Sequence, residues 1–248
     1  LGDTAGLASS YEKIGNIYYY QGRYAEAMKY YEKSLRIREA IGDKAGLAAS
    51  YNNIGAIYYA QGRYAEALEY YQKALATREA LGDTAGLASS YEKIGNIYYY
   101  QGRYAEAMKY YEKSLRIREA LGNKAGLAYS YNNIGNIYEA QGRYAEALEY
   151  YQKALRIYEA LGNKVGLAGS YNNIGNIYKA QGRYAEALEY YQKALRIYEA
   201  LGNKVGLAGS YNNIGNIYKA QGRYAEALEY HQKALAIREA LGDTAGLA

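Results

Sequence analysis

An all-α solenoid is the fold class this sequence predicts, and three observations predict it. The 248 residues repeat with a period of forty. Inside each block the apolar residues recur at helical spacing, and no segment alternates with the period of two that a half-buried strand needs. Each block holds two such stripes joined by a short glycine-containing link. One hairpin cannot cover both its stripes, so its neighbours must.

The blocks start at Leu1, Ile41, Leu81, Leu121, Leu161 and Leu201, and a truncated seventh starts at Leu241. Blocks 1–40 and 81–120 are identical, whereas 161–200 and 201–240 differ only at Tyr191/His231, Arg196/Ala236 and Tyr198/Arg238. In the second block Leu47, Tyr51, Ile54 and Tyr58 share one stripe and predict a first helix over residues 44–60. Gln61-Gly62 ends it, because glycine reaches the left-handed conformation without a Cβ clash. A second stripe follows, Tyr64, Ala67, Leu68, Tyr71, Ala74 and Leu75, and predicts a helix over 64–81. Glu66 lies in its first turn, where an acid suits the positive helix end. Leu81-Gly82 closes it, and Asp83 is the expected N-cap of the next helix. Such short links make the pair antiparallel. Residues 1–248 are therefore expected to form a single open array of six hairpins, whose handedness the period leaves open.

Composition narrows the function classes. With no cysteine the chain has no thiol nucleophile, disulfide or zinc-thiolate cage, and it fits a reducing, cytoplasmic compartment. No run approaches the ~18 apolar residues of a membrane span, and the first residues lack a secretory-signal pattern. Pro, Trp and Phe are absent while tyrosine appears 37 times, which points to a consensus-like or designed array, or to recent duplication. The missing initiator Met fits an excised segment. Net charge is +5, running +1, 0, +1, 0, +2, +2 over the blocks and −1 in the tail. That spread lacks the basic stripe of a nucleic-acid binder.

Tyr51-x2-Ile54-Gly55-x2-Tyr58, then Ala67-x3-Tyr71, then Ala74, resembles the tetratricopeptide pattern W-x2-L-G-x2-Y…A-x3-F…P, and the match recurs in all six blocks. Two departures stand out. Tyrosine replaces the usual Trp, and a glutamate (Glu39, Glu79, Glu119, Glu159, Glu199, Glu239) replaces the closing Pro. Without that Pro the second helix can run on, which accounts for forty residues rather than the usual length. The resemblance extends to the forty-residue repeats of Pins/LGN polarity adaptors, bacterial tetratricopeptide proteins and kinesin light chain. It implies a right-handed superhelix with first helices on the concave wall, and peptide or protein binding without catalysis or cofactor.

The asparagines of the YNNIGNIY stretch need a reason, since Asn is a mediocre helix former. On a wheel with Tyr131 at zero, Leu127, Ile134, Gly135 and Tyr138 form the packed side. Glu139, Asn132, Asn136 and Tyr129 fall at about 80°, 100°, 140° and 160°, with Asn133 at the border near 200°. This second face predicts a ladder of carboxamides: Asn16, Asn52, Asn96, Asn132, Asn136, Asn172, Asn176, Asn212 and Asn216. Each amide offers donor and acceptor to an extended peptide. Its flanks vary along the chain. Tyr19, Tyr20, Tyr59, Tyr99 and Tyr100 make the first half aromatic, Tyr129 adds a ring, and Lys179 and Lys219 make the last blocks basic. The expected ligand carries apolar or aromatic groups near the tyrosines and acidic groups near the lysines. The competing reading makes these asparagines solvated scaffold surface with no dedicated ligand.

Other sites are weaker. A carboxylate clamp around Lys13 and Lys93, with Asn16, Asn53 and Asn96, lacks its full basic set in consecutive blocks. His231, the only histidine, replaces a tyrosine and has no partners for a metal or a triad. Tyr30, Tyr31 and their copies read as packing and rim. The faces at Leu7/Tyr11/Ile14 and Tyr224/Leu228/Leu235 are expected to be bare, and head-to-tail self-association is the second expectation for partners.

Overall fold

The computed structural model describes residues 3–242. Twelve α-helices run through them: α1 Thr4–Tyr20, α2 Tyr24–Ile41, α3 Lys44–Ala60, α4 Tyr64–Leu81, α5 Thr84–Tyr100, α6 Tyr104–Ala120, α7 Lys124–Ala140, α8 Tyr144–Ala160, α9 Lys164–Ala180, α10 Tyr184–Leu201, α11 Lys204–Ala220 and α12 Tyr224–Leu241. The two helices expected at 44–60 and 64–81 are α3 and α4. Two compact units divide between Asn123 and Lys124, with three hairpins in each. Of the truncated seventh block, Leu241 ends α12 and Gly242 caps it, and the rest lies outside the described residues.

Local chemistry sets each boundary. The Asp43 carboxylate accepts the Gly46 N–H at 2.9 Å and starts α3, and Asp3, Asp83, Asn163 and Asn203 repeat the device. The second helices lack a side-chain N-cap; there Arg63 pairs with Glu66 across the first turn at 2.6 Å. Such exposed pairs are worth only about 0.3–0.5 kcal/mol each. Gly62 and Gly82 take φ +71° and +67°, so both helix ends need glycine.

The core lies between hairpins as well as within them. In the first unit Ala27 and Tyr31 of α2 pack with Ile54 and Ile57 of α3, and Ala67 and Tyr71 of α4 pack with Ile94 and Ile97 of α5. In the second unit α8 meets α9 through Ala147, Tyr151, Ile174 and Ile177, and α10 meets α11 through the equivalent four. The tyrosine ring of each set also lies on a glycine of its own hairpin. A Cβ on Gly55 would sit 2.7 Å from the Tyr71 ring, and one on Gly135 2.6 Å from Tyr151. Tyr31, Tyr71, Tyr111, Tyr151 and Tyr191 are therefore fully core, not rim, because glycine opens a slot for a whole ring. Their neighbours at 30, 70 and the equivalent positions stack at the border, as with Tyr30 on Tyr18 at 5.4 Å between ring centres.

Within each unit the far end of a second helix reaches into the hairpin that follows it. Arg38 Nη1 donates to the Gly46 carbonyl at 2.7 Å and to Ser50 Oγ at 3.1 Å, while Nη2 meets Glu12 of α1. Arg78 repeats this with Gly86 and Ser90 at 2.9 and 2.7 Å. In the second unit Tyr158 and Tyr198 take that place, with their rings against Gly166 and Gly206.

Candidate functional site

Within each unit the first helices stand side by side: Asn53 of α3 donates to Glu12 of α1 at 3.2 Å, and Tyr59 of α3 touches Tyr100 of α5. The predicted ladder lies on this first-helix face, and the structure sorts its asparagines into two sets.

The first set is Asn16, Asn96, Asn136 and Asn176. In each hairpin the core tyrosine crosses from the second helix and donates its hydroxyl to the asparagine Oδ1 at 2.7 Å: Tyr31 to Asn16, Tyr111 to Asn96, Tyr151 to Asn136, Tyr191 to Asn176. The oxygen is thus engaged inside the hairpin, and each of these asparagines is half-buried. Two blocks break the row. Residue 56 is Ala, and His231 replaces the tyrosine in the last hairpin. Asn216 is exposed there, and His231 Nδ1 lies 3.2 Å from Asn212 Oδ1 instead.

The second set, Asn52, Asn132 and Asn172, differs from the outward placement that the wheel suggests. Asn52 is buried at 9% exposure, and its oxygen, assigned by the hydrogen-bond network, accepts from Arg78 Nη2 at 2.6 Å. Asn132 Nδ2 lies 3.5 Å from the Tyr158 hydroxyl, and the Oδ1 atoms of Asn132 and Asn172 are buried. The long side chain near the end of each second helix crosses this position and turns the carboxamide inward. A wheel gives the angle of a residue but not the neighbour that covers it.

The flanks follow the sequence. In the first unit Tyr19, Tyr20 and Tyr24 meet edge-on or tilted, and Tyr59, Tyr64 and Tyr100 form a tighter group. Tyr99 contacts both Tyr100 and Tyr104. In the second unit Tyr129 is exposed on α7, Lys179 is half-buried on α9 and Lys219 is exposed on α11. Glu139, which shares this face, is part of the same network: the Tyr151 hydroxyl lies 2.5 Å from its Oε2. Burial pushes the Glu139 carboxyl up from its ordinary range, against the opposing pull of Tyr151 and of the Lys179 charge. Lys93 also lies here, over the Tyr71 ring at 5.5 Å, and burial lowers its pKa. The tyrosines that orient the first set were missed as site residues. Their signal was the constant fifteen-residue step from Asn16 to Tyr31 and in its copies.

The tetratricopeptide repeat family model matches residues 6–80, 86–160 and 166–240. No curated protein matches. Solved structures share the fold at low identity. BtubC (BKLC) from P. vanneervenii is 22% identical with TM-score 0.70, over 98% of this chain and 93% of that one. A Rap protein complexed with Competence and Sporulation Factor is 15% identical with TM-score 0.73, over 94% and 75%. A Podosopora anserina putative kinesin light chain with nearly identical TPR-like repeats is 19% identical with TM-score 0.66, over 82% and 99%. No helix among the described residues is long and apolar enough to cross a membrane. With three family matches in register over six helix hairpins, the chain belongs to the tetratricopeptide repeat family.

Proposed function

We propose that the chain is a non-enzymatic scaffold that holds an extended peptide segment along its first-helix face. One observation carries the reading: the same tyrosine-to-asparagine bond recurs in four hairpins and occupies each amide oxygen, which would leave the N–H donors for a ligand. Donors repeated on neighbouring first helices of one unit, as at Asn136 and Asn176, suit the carbonyls of an extended backbone and require no particular ligand side chain. Lys179 and Lys219 add a preference for acidic groups beside Asn176 and Asn216. Asn52, Asn132 and Asn172 support the wall from within rather than touch the ligand. A fold neighbour solved with a bound factor supports the same use of the architecture.

The test is selection of peptides from a random library on the whole chain, then titration of the best binder against Asn136→Ala/Asn176→Ala. Each lost hydrogen bond costs about 0.5–1.5 kcal/mol, so the double variant should bind about 5- to 100-fold more weakly. Tyr151→Phe/Tyr191→Phe, which frees the amides to turn, should lose part of that. Equal affinity across all three proteins removes the amide row from the function.

A second reading has its own observation. Ile14 and Ile17 of α1 are 37% and 58% exposed, yet Ile94 and Ile97, their copies in the identical block, are fully buried against α4. On α12, Tyr224, Leu228 and Leu235 are likewise exposed. Each face has the shape its partner has elsewhere in the chain, so α12 of one molecule would cover α1 of another.

A further inference from the structure

The aromatic flank of the first unit holds three tilted tyrosine pairs, Tyr19/Tyr24, Tyr59/Tyr64 and Tyr99/Tyr104, and the chain itself fills the second. Tyr100 is the filling. Its ring lies edge-on to Tyr59, with centres 5.7 Å apart, and stacks on Tyr64 at 6.1 Å and 14°. Tyr59 and Tyr64 belong to the preceding hairpin, and they meet each other at 5.8 Å and 58°. Tyr100 thus closes a cleft between two tilted rings of its neighbour.

The same cleft exists one hairpin earlier. Tyr19 and Tyr24 meet at 5.6 Å and 54°, nearly the geometry of the filled pair. The residue standing where Tyr100 stands is Ala60, which ends α3 and is exposed. Alanine cannot reach either ring. Tyr20 does not substitute for it, since its ring touches only Tyr19, at 5.8 Å, and is 85% exposed against 59% for Tyr100.

We propose that the Tyr19/Tyr24 cleft is a binding subsite for one aromatic side chain of the partner peptide. The ligand ring takes the place that Tyr100 takes on Tyr59 and Tyr64, edge-on to Tyr19 and stacked on Tyr24. The chain thereby supplies its own template for the bound state. Two tilted aromatic walls favour a flat ring over a branched aliphatic group, because a ring presents its edge to one wall and its face to the other. The subsite rests on the reading of the first-helix face as the binding surface, but it does not depend on the amide row.

Both test variants use residues the chain already carries at this position, so neither introduces a foreign packing problem. Ala60→Tyr closes the cleft from within, as in the next hairpin. Tyr100→Ala opens a second cleft at Tyr59 and Tyr64. The probe is acetyl-Gly-Gly-(4-fluorophenylalanine)-Gly-Gly-amide, observed through its fluorine NMR line width, which the chain's own tyrosines do not obscure. The parent chain should broaden the line, Ala60→Tyr should cut the broadening about twofold because Tyr99/Tyr104 still offers a pair, and Tyr100→Ala should increase it. Displacement by the tyrosine pentapeptide, but not by the leucine one, is expected. No broadening by the parent chain, or equal broadening by Ala60→Tyr, overturns the subsite. The library-selected binder on Asn136→Ala/Asn176→Ala and the fluorinated probe on Ala60→Tyr are separate readouts, so failure of the amide row and failure of the subsite are distinguishable.

Discussion

At the scale of single residues, two of the three glycines in α9 have opposite reasons for existing. A Cβ on Gly175 would lie 2.7 Å from the Tyr191 ring, whereas one on Gly169 meets nothing within 4 Å. Alanine gains about 1 kcal/mol of helix propensity at either position. At Gly175 that gain is set against forced displacement of a buried ring, a type of overpacking that costs about 1–3 kcal/mol. Gly169→Ala should therefore stabilise the chain by about 0.5–1 kcal/mol, while Gly175→Ala should destabilise it. Urea unfolding followed by circular dichroism checks both signs, and a stabilising Gly175→Ala contradicts the ring-on-glycine packing. The close approach at Gly175 was legible in the sequence, since a glycine on the apolar stripe of a helix has few other uses. The identity of the ring was not. The stripe through Ala67, Leu68 and Tyr71 sets Tyr191 apart from Tyr190, stacked at the border, but it does not say that this ring comes to rest on Gly175.

At the scale of helices, the junctions between hairpins use two chemistries, one in each unit. Arg78 donates to a backbone carbonyl and to Ser90 across the junction, and it also meets Asn52. Tyr158 and Tyr198 make the same junction by packing against Gly166 and Gly206. Truncating the buried guanidinium leaves several polar groups without partners, each worth about 1–3 kcal/mol. Arg78→Ala should thus lower stability by about 2–4 kcal/mol. Arg78→Tyr installs the solution used in the other unit, and it should recover at least half of that loss. Equal losses for the two variants would show that the junction tolerates only charge. This level explains why helix boundaries were readable and side-chain directions were not. The stops at Gly62 and Gly82, and the cap at Asp83, are local and act within one turn. The inward turn of Asn52 depends on Arg78, twenty-six residues away on another helix, and no local pattern encodes it.

At the scale of the whole molecule, repetition makes stability depend on neighbours. A hairpin flanked on both sides buries its isoleucines completely, as Ile54 and Ile57 show, while α1 and α12 each present an uncovered apolar face. In an array held by nearest-neighbour contacts, local opening is easiest where a neighbour is missing. Amide hydrogen exchange at low concentration should therefore be faster in α1 and α12 than in α3, α5, α9 and α10, although all share nearly the same letters. Sequence identity sharpens this comparison, because α1 and α5 are copies and any difference between them is due to packing. The same measurement at high concentration decides the second reading of the function. If α12 of one molecule covers α1 of another, protection should rise in both helices together and nowhere else, and the light-scattering mass should rise with it. Protection that stays low in α1 and α12 while the mass stays monomeric leaves the chain with free ends and peptide binding as its single use. A rise in α1 alone would point to a different contact, since a head-to-tail joint needs both faces.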